Sequence, residues 1–371
     1  MKSFDPRTLS IGEELKTSII TENHVHQDGT TPLYRDVDGR LWAMSGHSHI
    51  GQVCVFCGTC LDDLEPLYPI TTNFCVGNAD YAFSGIRYPE GVKARGSIWP
   101  FGLYICPGTH RFFCFFHNET GWNGNGTAYD AFGYCDTPAY DSDFRHVGLM
   151  HSDDEGRTWV FDRWVLAAEK PCFTEMFHPE RGSVRGQEPG IISLGSGDFT
   201  LYVEPDGPFM YLLYNVIRLN TETGVWYSCD MYMARARKRD DGMMGDFVKY
   251  YDGSFSESGI FGKESVVVPN AWHARMVYLK EYGKYLLSYV PVHGNTVGYG
   301  IYDKMALRVG DDMLHWGEEI PVLKDGEPFG SHYCAVVPDE AEGSPFVLEK
   351  DTFSILINHN GTNVRRFRAH W

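Results

Sequence analysis

The chain has 371 residues, 43% of them hydrophobic and 22% charged, a balance that allows a large core and argues against disorder. Its 32 Lys and Arg against 49 Asp and Glu leave a formal charge of −17, which argues against nucleic acid and anionic membranes as partners, since both require a basic stripe. No apolar run approaches the roughly 18 residues of a membrane-spanning helix.

Aromatic residues make up 15% of the chain (22 Tyr, 23 Phe, 9 Trp) and there are 40 glycines. Aromatic and branched strands separated by glycine turns give this balance; a helical bundle does not. The start, MKSFDPRTLSIGEEL, carries no apolar stretch of the secretory kind, so the expected location is the cytoplasm. Ten cysteines are present, three of them in the run Cys54, Cys57, Cys60. A C-x2-C-x2-C run can hold a metal or an iron–sulfur cluster, but no fourth Cys or His follows closely, and QVCVFCGTC reads instead as a buried strand with core thiols. The sequons at Asn118, Asn125 and Asn360 matter only in an exported protein.

In chain order the clearest apolar segments are RLWAMSGH, RFFCFFHN, FMYLLYNVI, KYLLSYVPV and TFSILINHN. Each is short, aromatic or branched, and bounded by Gly, Pro, Asp or Asn, so each reads as a strand. No βαβ alternation appears, which excludes a parallel doubly wound sheet. The segment Ser152 to Trp159, SDDEGRTW, fits S-x-D-x-G-x-T-W, a tight hairpin in which the Asp caps backbone amides, Gly takes a positive φ and Trp wedges between layers. This is the Asp-box pattern of sialidases and other β-propellers. Weaker copies occur at CLDDLEPL and VGDDMLHW. With Asp62, Asp154 and Asp311 aligned, the gaps are 92 and 157 residues, so a further copy is expected near residue 235, in MYMARARKRDDGMMGDFVKYY. The fold class expected is all-β, a single five-bladed β-propeller domain over 1–371. Its approximate blades are 24–80, 92–170, 184–262, 268–325 and 328–371, the last completed by an N-terminal strand near LKTSIIT. A short helix or two is expected in the loops.

This grammar resembles the five-bladed propeller glycoside hydrolases, in particular glycoside hydrolase family 43 and its relatives, the arabinanases, xylosidases and arabinofuranosidases. Three places carry the likeness: the hairpins CLDDLEPL and GDDMLHW, the run Glu188-Pro189-Gly190-Ile191-Ile192 opening the third blade, and Trp272-His273-Ala274-Arg275 opening the fourth. The resemblance implies that Glu188 is the general acid and Asp28, in HVHQDGTTP, the base or nucleophile, since glycoside hydrolysis needs two carboxyls. Gly29 follows Asp28 where the family has proline, and no carboxylate stands beside Trp99 or Pro100, where the family carries a third acid; Asp80, Glu90 and Glu119 are the substitutes the sequence offers.

Residues at the starts of inner strands crowd one end of a propeller's axis. Those positions add His26, Arg95, Trp99, Arg185, His273, Arg275 and His332 as substrate-binding candidates, with an oligosaccharide or glycoside as partner. No cofactor is expected. A Ca²⁺ ion on the axis is conceivable, although no oxygen-ligand loop can be pointed to. Two other readings stay open. Arg95, Arg185 and Arg275, 90 residues apart, suit a carboxylate clamp of the sialidase kind or a uronic-acid-directed enzyme. A non-catalytic glycan- or protein-binding propeller is the other.

Overall fold

The computed structural model describes residues 4–15, 29–47, 52–68, 86–87, 97–119, 145–169, 191–220, 225–292, 304–358 and 364–371. Its strands are β1 (Ser10–Glu14), β2 (Leu33–Arg35), β3 (Leu41–His47), β4 (Gln52–Gly58), β5 (Glu65–Pro66), β6 (Ile86–Arg87), β7 (Ser97–Ile105), β8 (Phe112–Glu119), β9 (Arg145–Ser152) and β10 (Trp159–Leu166). They continue with β11 (Ile191–Val203), β12 (Phe209–Asn220), β13 (Val225–Arg237), β14 (Val248–Tyr251), β15 (Ser254–Ser258), β16 (Ala271–Leu279), β17 (Lys284–Pro291) and β18 (Ala306–Gly310). The last are β19 (Ile320–Pro321), β20 (Leu323–Lys324), β21 (Glu327–Pro328), β22 (Tyr333–Val337), β23 (Val347–Leu348), β24 (Thr352–Asn358) and β25 (Arg365–His370). The one helical turn among the described residues is a 3-10 turn at Pro6–Thr8, outside the loops where a helix was expected.

Among the described residues, strand pairing resolves into five antiparallel meanders in chain order: β2–β5, β7–β10, β11–β15, β16–β19, and β22, β24, β25 and β1. These are the blades of a β-propeller. Burial falls from the first strand outward. Eight of the nine residues of β16 are buried, whereas β1 and β15 are mostly exposed. A strand near the axis is covered on both faces by neighbouring blades, so it reads as a continuous apolar run rather than an alternating one.

Four apolar clusters fill the spaces between blades. One joins the first and second blades through Trp42, Val55, Phe112, Phe116 and Trp159. The largest runs through the second, third and fourth, and another joins the fourth and fifth. The fourth cluster packs Leu33, Leu41, Phe56 and Leu61 of the first blade on Ala335, Val337 and Leu356 of the fifth, and so closes the ring. A polar contact at the same seam reinforces it: Arg366 of β25 donates to Asp62 of the first blade, to Asp339 at 2.7 Å and to Ser354 Oγ at 2.7 Å. The strand completing the fifth blade is Ser10–Glu14, upstream of the LKTSIIT segment expected there.

The hairpins joining third and fourth strands share one device. Asp154 accepts from the Thr158 N–H at 2.8 Å and from the Ser152 and Thr158 hydroxyls at 2.7 Å each; Gly156 has φ +83° and Trp159 is buried between the first two blades. In the weaker copies the capping acid is one position later than the alignment on Asp62 and Asp311 predicts. Asp63 accepts from Thr59 N–H at 2.7 Å and Cys60 N–H at 2.8 Å, and Asp312 accepts from Leu314 and His315 N–H at 2.8 Å each. The hairpin expected near 235 has Asp241 accepting from Met243 N–H at 3.1 Å. Each is the second member of an Asp-Asp pair. The first member turns outward to a cation: Asp62 to Arg366, Asp153 to Arg111 at 2.7 and 3.0 Å, and Asp311 to Lys284.

Candidate functional site

Inner strands of three consecutive blades are irregular near their starts. The pairing register shifts between Pro100 and Gly102 in β7, at Ser193/Ser196 and Gly197/Phe199 in β11, and between Trp272 and Arg275 in β16. Such bulges re-aim side chains that a regular pleat would send between the sheets. Two of the bulged residues, Asp198 and His273, have φ +48°. A left-handed conformation in a non-glycine residue carries strain that the surroundings must hold in place.

The two bulges bring a carboxylate and an imidazole together. His273 Nε2 lies 3.5 Å from Asp198 Oδ1, and His117 Nε2, from the second blade, lies 3.7 Å from the same oxygen. Arg145, at the start of β9, donates to Asp198 Oδ2. The Asp198 N–H donates to His117 Nδ1 at 3.0 Å, which assigns the neutral ring's proton to Nε2, facing the carboxylate. Gly197 allows this approach: a Cβ there would stand 2.6 Å from the His117 ring and 2.7 Å from Arg145 Cβ. On the other side the His273 N–H donates to Asn215 Oδ1 at 3.0 Å, and Asn215 is itself fixed by donating to the carbonyls of Ala271 at 2.6 Å and Asp230 at 3.0 Å.

Burial raises the Asp198 pKa, but the Arg145 guanidinium, then His117 and His273, outweigh it and hold the carboxyl far below the usual carboxylate range. Asp198 is therefore a fixed anion. It cannot donate a proton near neutral pH; it can orient Arg145 and stabilise positive charge on either histidine. His146, next to Arg145, is pushed down to about 3 by burial, with His117 adding to the shift, so this ring is neutral.

Aromatic rings wall the cluster. Phe101 stacks on His117 at 5.4 Å and 14° and meets the His273 edge at 5.7 Å. Trp99 lies 5.2 Å from His117. Trp272 lies 4.7 Å from His273 and 4.5 Å from His332, and Tyr333 contacts both histidines at 4.3 and 4.4 Å. Gly29 packs so closely on Phe101 that a Cβ there would fall 2.0 Å from the ring.

Of the substrate-binding residues singled out in the sequence, Trp99, His273, Arg275 and His332 are described. All four are buried, at 3%, 0%, 3% and 5% exposure. His273 and His332 are brought together through Trp272 and Tyr333; Arg275 lies deeper. Asp28, His26, Arg95, Arg185, Glu188, Asp80 and Glu90 lie outside the described residues, and Glu119 is the last residue of β8. The sequence reading missed Asp198, Arg145, His117 and His146. The available signal was GSGDF: two glycines leading into an acid within an apolar strand.

Elsewhere, Cys57 and Cys60 are free thiols, and burial raises the Cys57 pKa. Among the described residues one group has metal-ligand spacing, Asp36, Asp38 and His110, but the Arg40 guanidinium occupies its middle, 3.2 Å from Asp36 and 3.5 Å from His110. Asn118 is fully buried in β8, which removes its sequon from the surface of the folded chain.

No family model and no curated protein matches the chain. Among solved structures it is similar to an exo-beta-1,3-galactanase from Clostridium thermocellum, with 11% identity and a TM-score of 0.46 over 96% of this chain and 61% of that one, so it spans less than two thirds of that protein. It is also similar to the catalytic domain of the Coprinopsis cinerea GH62 alpha-L-arabinofuranosidase, with 9% identity and a TM-score of 0.47 over 98% and 96% of the two chains. A third is a family 117 glycoside hydrolase from Zobellia galactanivorans, with 10% identity and a TM-score of 0.46 over 93% and 89%. At likenesses this low, the propeller assignment rests on the strand pairing and the closed ring.

Proposed function

We propose that this propeller is a glycoside hydrolase working at the end of the axis where the inner strands begin. Glu188 acts as general acid and Asp28 as base or nucleophile. The observation that carries the reading is the pair of strained bulges that set Asp198 and His273 3.5 Å apart in a buried, aromatic-walled cluster. Packing alone gives no reason to bury an ion pair and several imidazoles at the inner-strand starts, where apolar residues would fill the space at lower cost. Both catalytic candidates are close to this cluster in sequence: Asp28 immediately precedes Gly29, which packs on Phe101, and Glu188 stands three residues before β11, the strand that carries Asp198.

In this mechanism the acid protonates the glycosidic oxygen as the bond breaks, and the second carboxyl activates water or attacks the anomeric carbon. Asp198 and Arg145 hold the histidines in place and set the local field.

The test is hydrolysis of a panel of arabinosides, xylosides, galactosides, sialosides and uronides by wild type, Glu188→Gln and Asp28→Asn, each checked for folding by circular dichroism. Turnover of one neutral glycoside, lowered about 10²–10⁴-fold or more in both variants, is the expected result. Turnover restricted to sialosides or uronides would point to the carboxylate-clamp reading. Activity unchanged in both variants would rule out the assigned roles.

A further inference from the structure

Arg275 stands two residues beyond His273 on β16, and its side chain reaches from the fourth blade to the first. Nη1 donates to the carbonyl of Thr31, which leads into the first blade, at 3.3 Å, and Nη2 to the Pro345 carbonyl at 3.4 Å. The fourth blade borders the third and fifth, so a contact with the first spans the ring's centre. The guanidinium lies 5.8 Å from the Phe346 ring, and Pro345 and Phe346 also line a cavity of about 360 Å³ at the far ends of the inner strands.

The side chain is 3% exposed, and among the described residues its Nε–H has no hydrogen-bond partner. Burial lowers its pKa, to about 10, and among the described residues no carboxylate offsets the loss of water. Arg366, the other buried arginine among the described residues, differs in having Asp62 and Asp339, and the part-buried Arg145 has Asp198. Two carbonyls at long hydrogen-bond distance supply only partial negative charge to a cation taken out of water. A second unused donor belongs to a residue that Arg275 touches. Thr31, whose carbonyl serves Arg275, has a buried hydroxyl that finds no partner among the described residues. A positive charge with unused N–H and O–H donors is the chemistry of an anion site.

We propose that Arg275, with Thr31, binds a small inorganic anion of chloride size on the propeller axis, taken from solvent as the missing counter-charge. With Arg275 3% and Thr31 1% exposed, the smallest anions are the ones the site is expected to take. The site is independent of the catalytic reading above.

The test replaces gluconate by chloride at constant ionic strength and follows thermal unfolding. The Tm of wild type is expected to rise with the logarithm of chloride concentration, by roughly 3–5 °C over two decades above the dissociation constant, while Arg275→Met stays flat. Crystals of wild type soaked in bromide are expected to show an anomalous peak beside the guanidinium. Equal wild-type Tm in gluconate and chloride, or a chloride response retained in Arg275→Met, would overturn the proposal. So would a bromide map with water alone at Arg275. If Arg275→Met does not fold, the wild-type bromide map decides.

Discussion

Arg366, at the seam between the first and last blades, and Arg275, on the axis, are equally buried at 3% exposure, yet they are treated oppositely. Arg366 is saturated by the chain's own groups, with Asp62 contributed from across the seam. Among the described residues, Arg275 receives two carbonyls and no acid. Ring closure must hold without outside help, so its buried charge is neutralised internally; the axis leaves a cation for something from solution. The largest expected effect tests this contrast. Arg366→Met leaves Asp339 with half its partners and is expected to lower unfolding stability by roughly 3 kcal/mol. Arg275→Met in halide-free buffer is expected to be neutral or stabilising, because it removes a buried charge without stranding another. Urea unfolding of both variants makes the comparison, and equal losses would break it.

Proton linkage sharpens the same distinction at the axis. His146 has a folded pKa of about 3, below the unfolded value of about 6.5. The unfolded chain therefore binds a proton that the folded chain refuses over that interval. The stabilisation is complete above pH ~6.5 and is lost as pH falls toward about 3, at about 1.4 kcal/mol per unit, or roughly 2 kcal/mol by pH 5. Asp198, depressed by Arg145, acts in a lower window: its contribution is complete above the unfolded carboxyl pKa of about 3.9 and fades only below it. Stability measured against pH is expected to show a shallower slope between pH 5 and 6.5 in His146→Gln than in wild type. Parallel curves would mean that the ring is charged inside the fold.

Much of the architecture was legible in the sequence because it is local. Aromatic strands such as RFFCFFHN and hairpin acids within four residues of the amides they cap leave short-range patterns, and the divergent third-blade hairpin appeared where the spacing placed it. The one-residue error in aligning Asp62 and Asp311 has a physical cause. The motif was matched on flanking apolar residues, whereas the turn is set by the acid that reaches the strand-end N–H groups, the second of each Asp-Asp pair. His273 was legible because WHAR opens an inner strand. Asp198 was not, because its partners His117 and Arg145 lie 81 and 53 residues away and its position depends on a bulge. A period-two pattern says nothing about a residue that leaves the period.

The Asp-Asp pairs give the smallest expected effect and the finest version of the comparison, since each contains one inward and one outward acid. Asp154 accepts the Thr158 N–H and two hydroxyls within its turn; Asp154→Ala is expected to cost about 1–2 kcal/mol in denaturant unfolding. Asp153 makes a two-point contact with Arg111, but its side chain is 62% exposed, and Asp153→Ala is expected to stay within about 0.5 kcal/mol. In the first hairpin the outward acid meets the buried Arg366 instead of a solvated cation, so Asp62→Ala should cost more than Asp153→Ala although the two acids occupy the same position in their pairs. If the two costs are alike, the seam gains nothing from the Asp62–Arg366 contact, and contact between the first and fifth blades rests on the apolar packing of Leu33, Leu41 and Phe56 against Ala335, Val337 and Leu356.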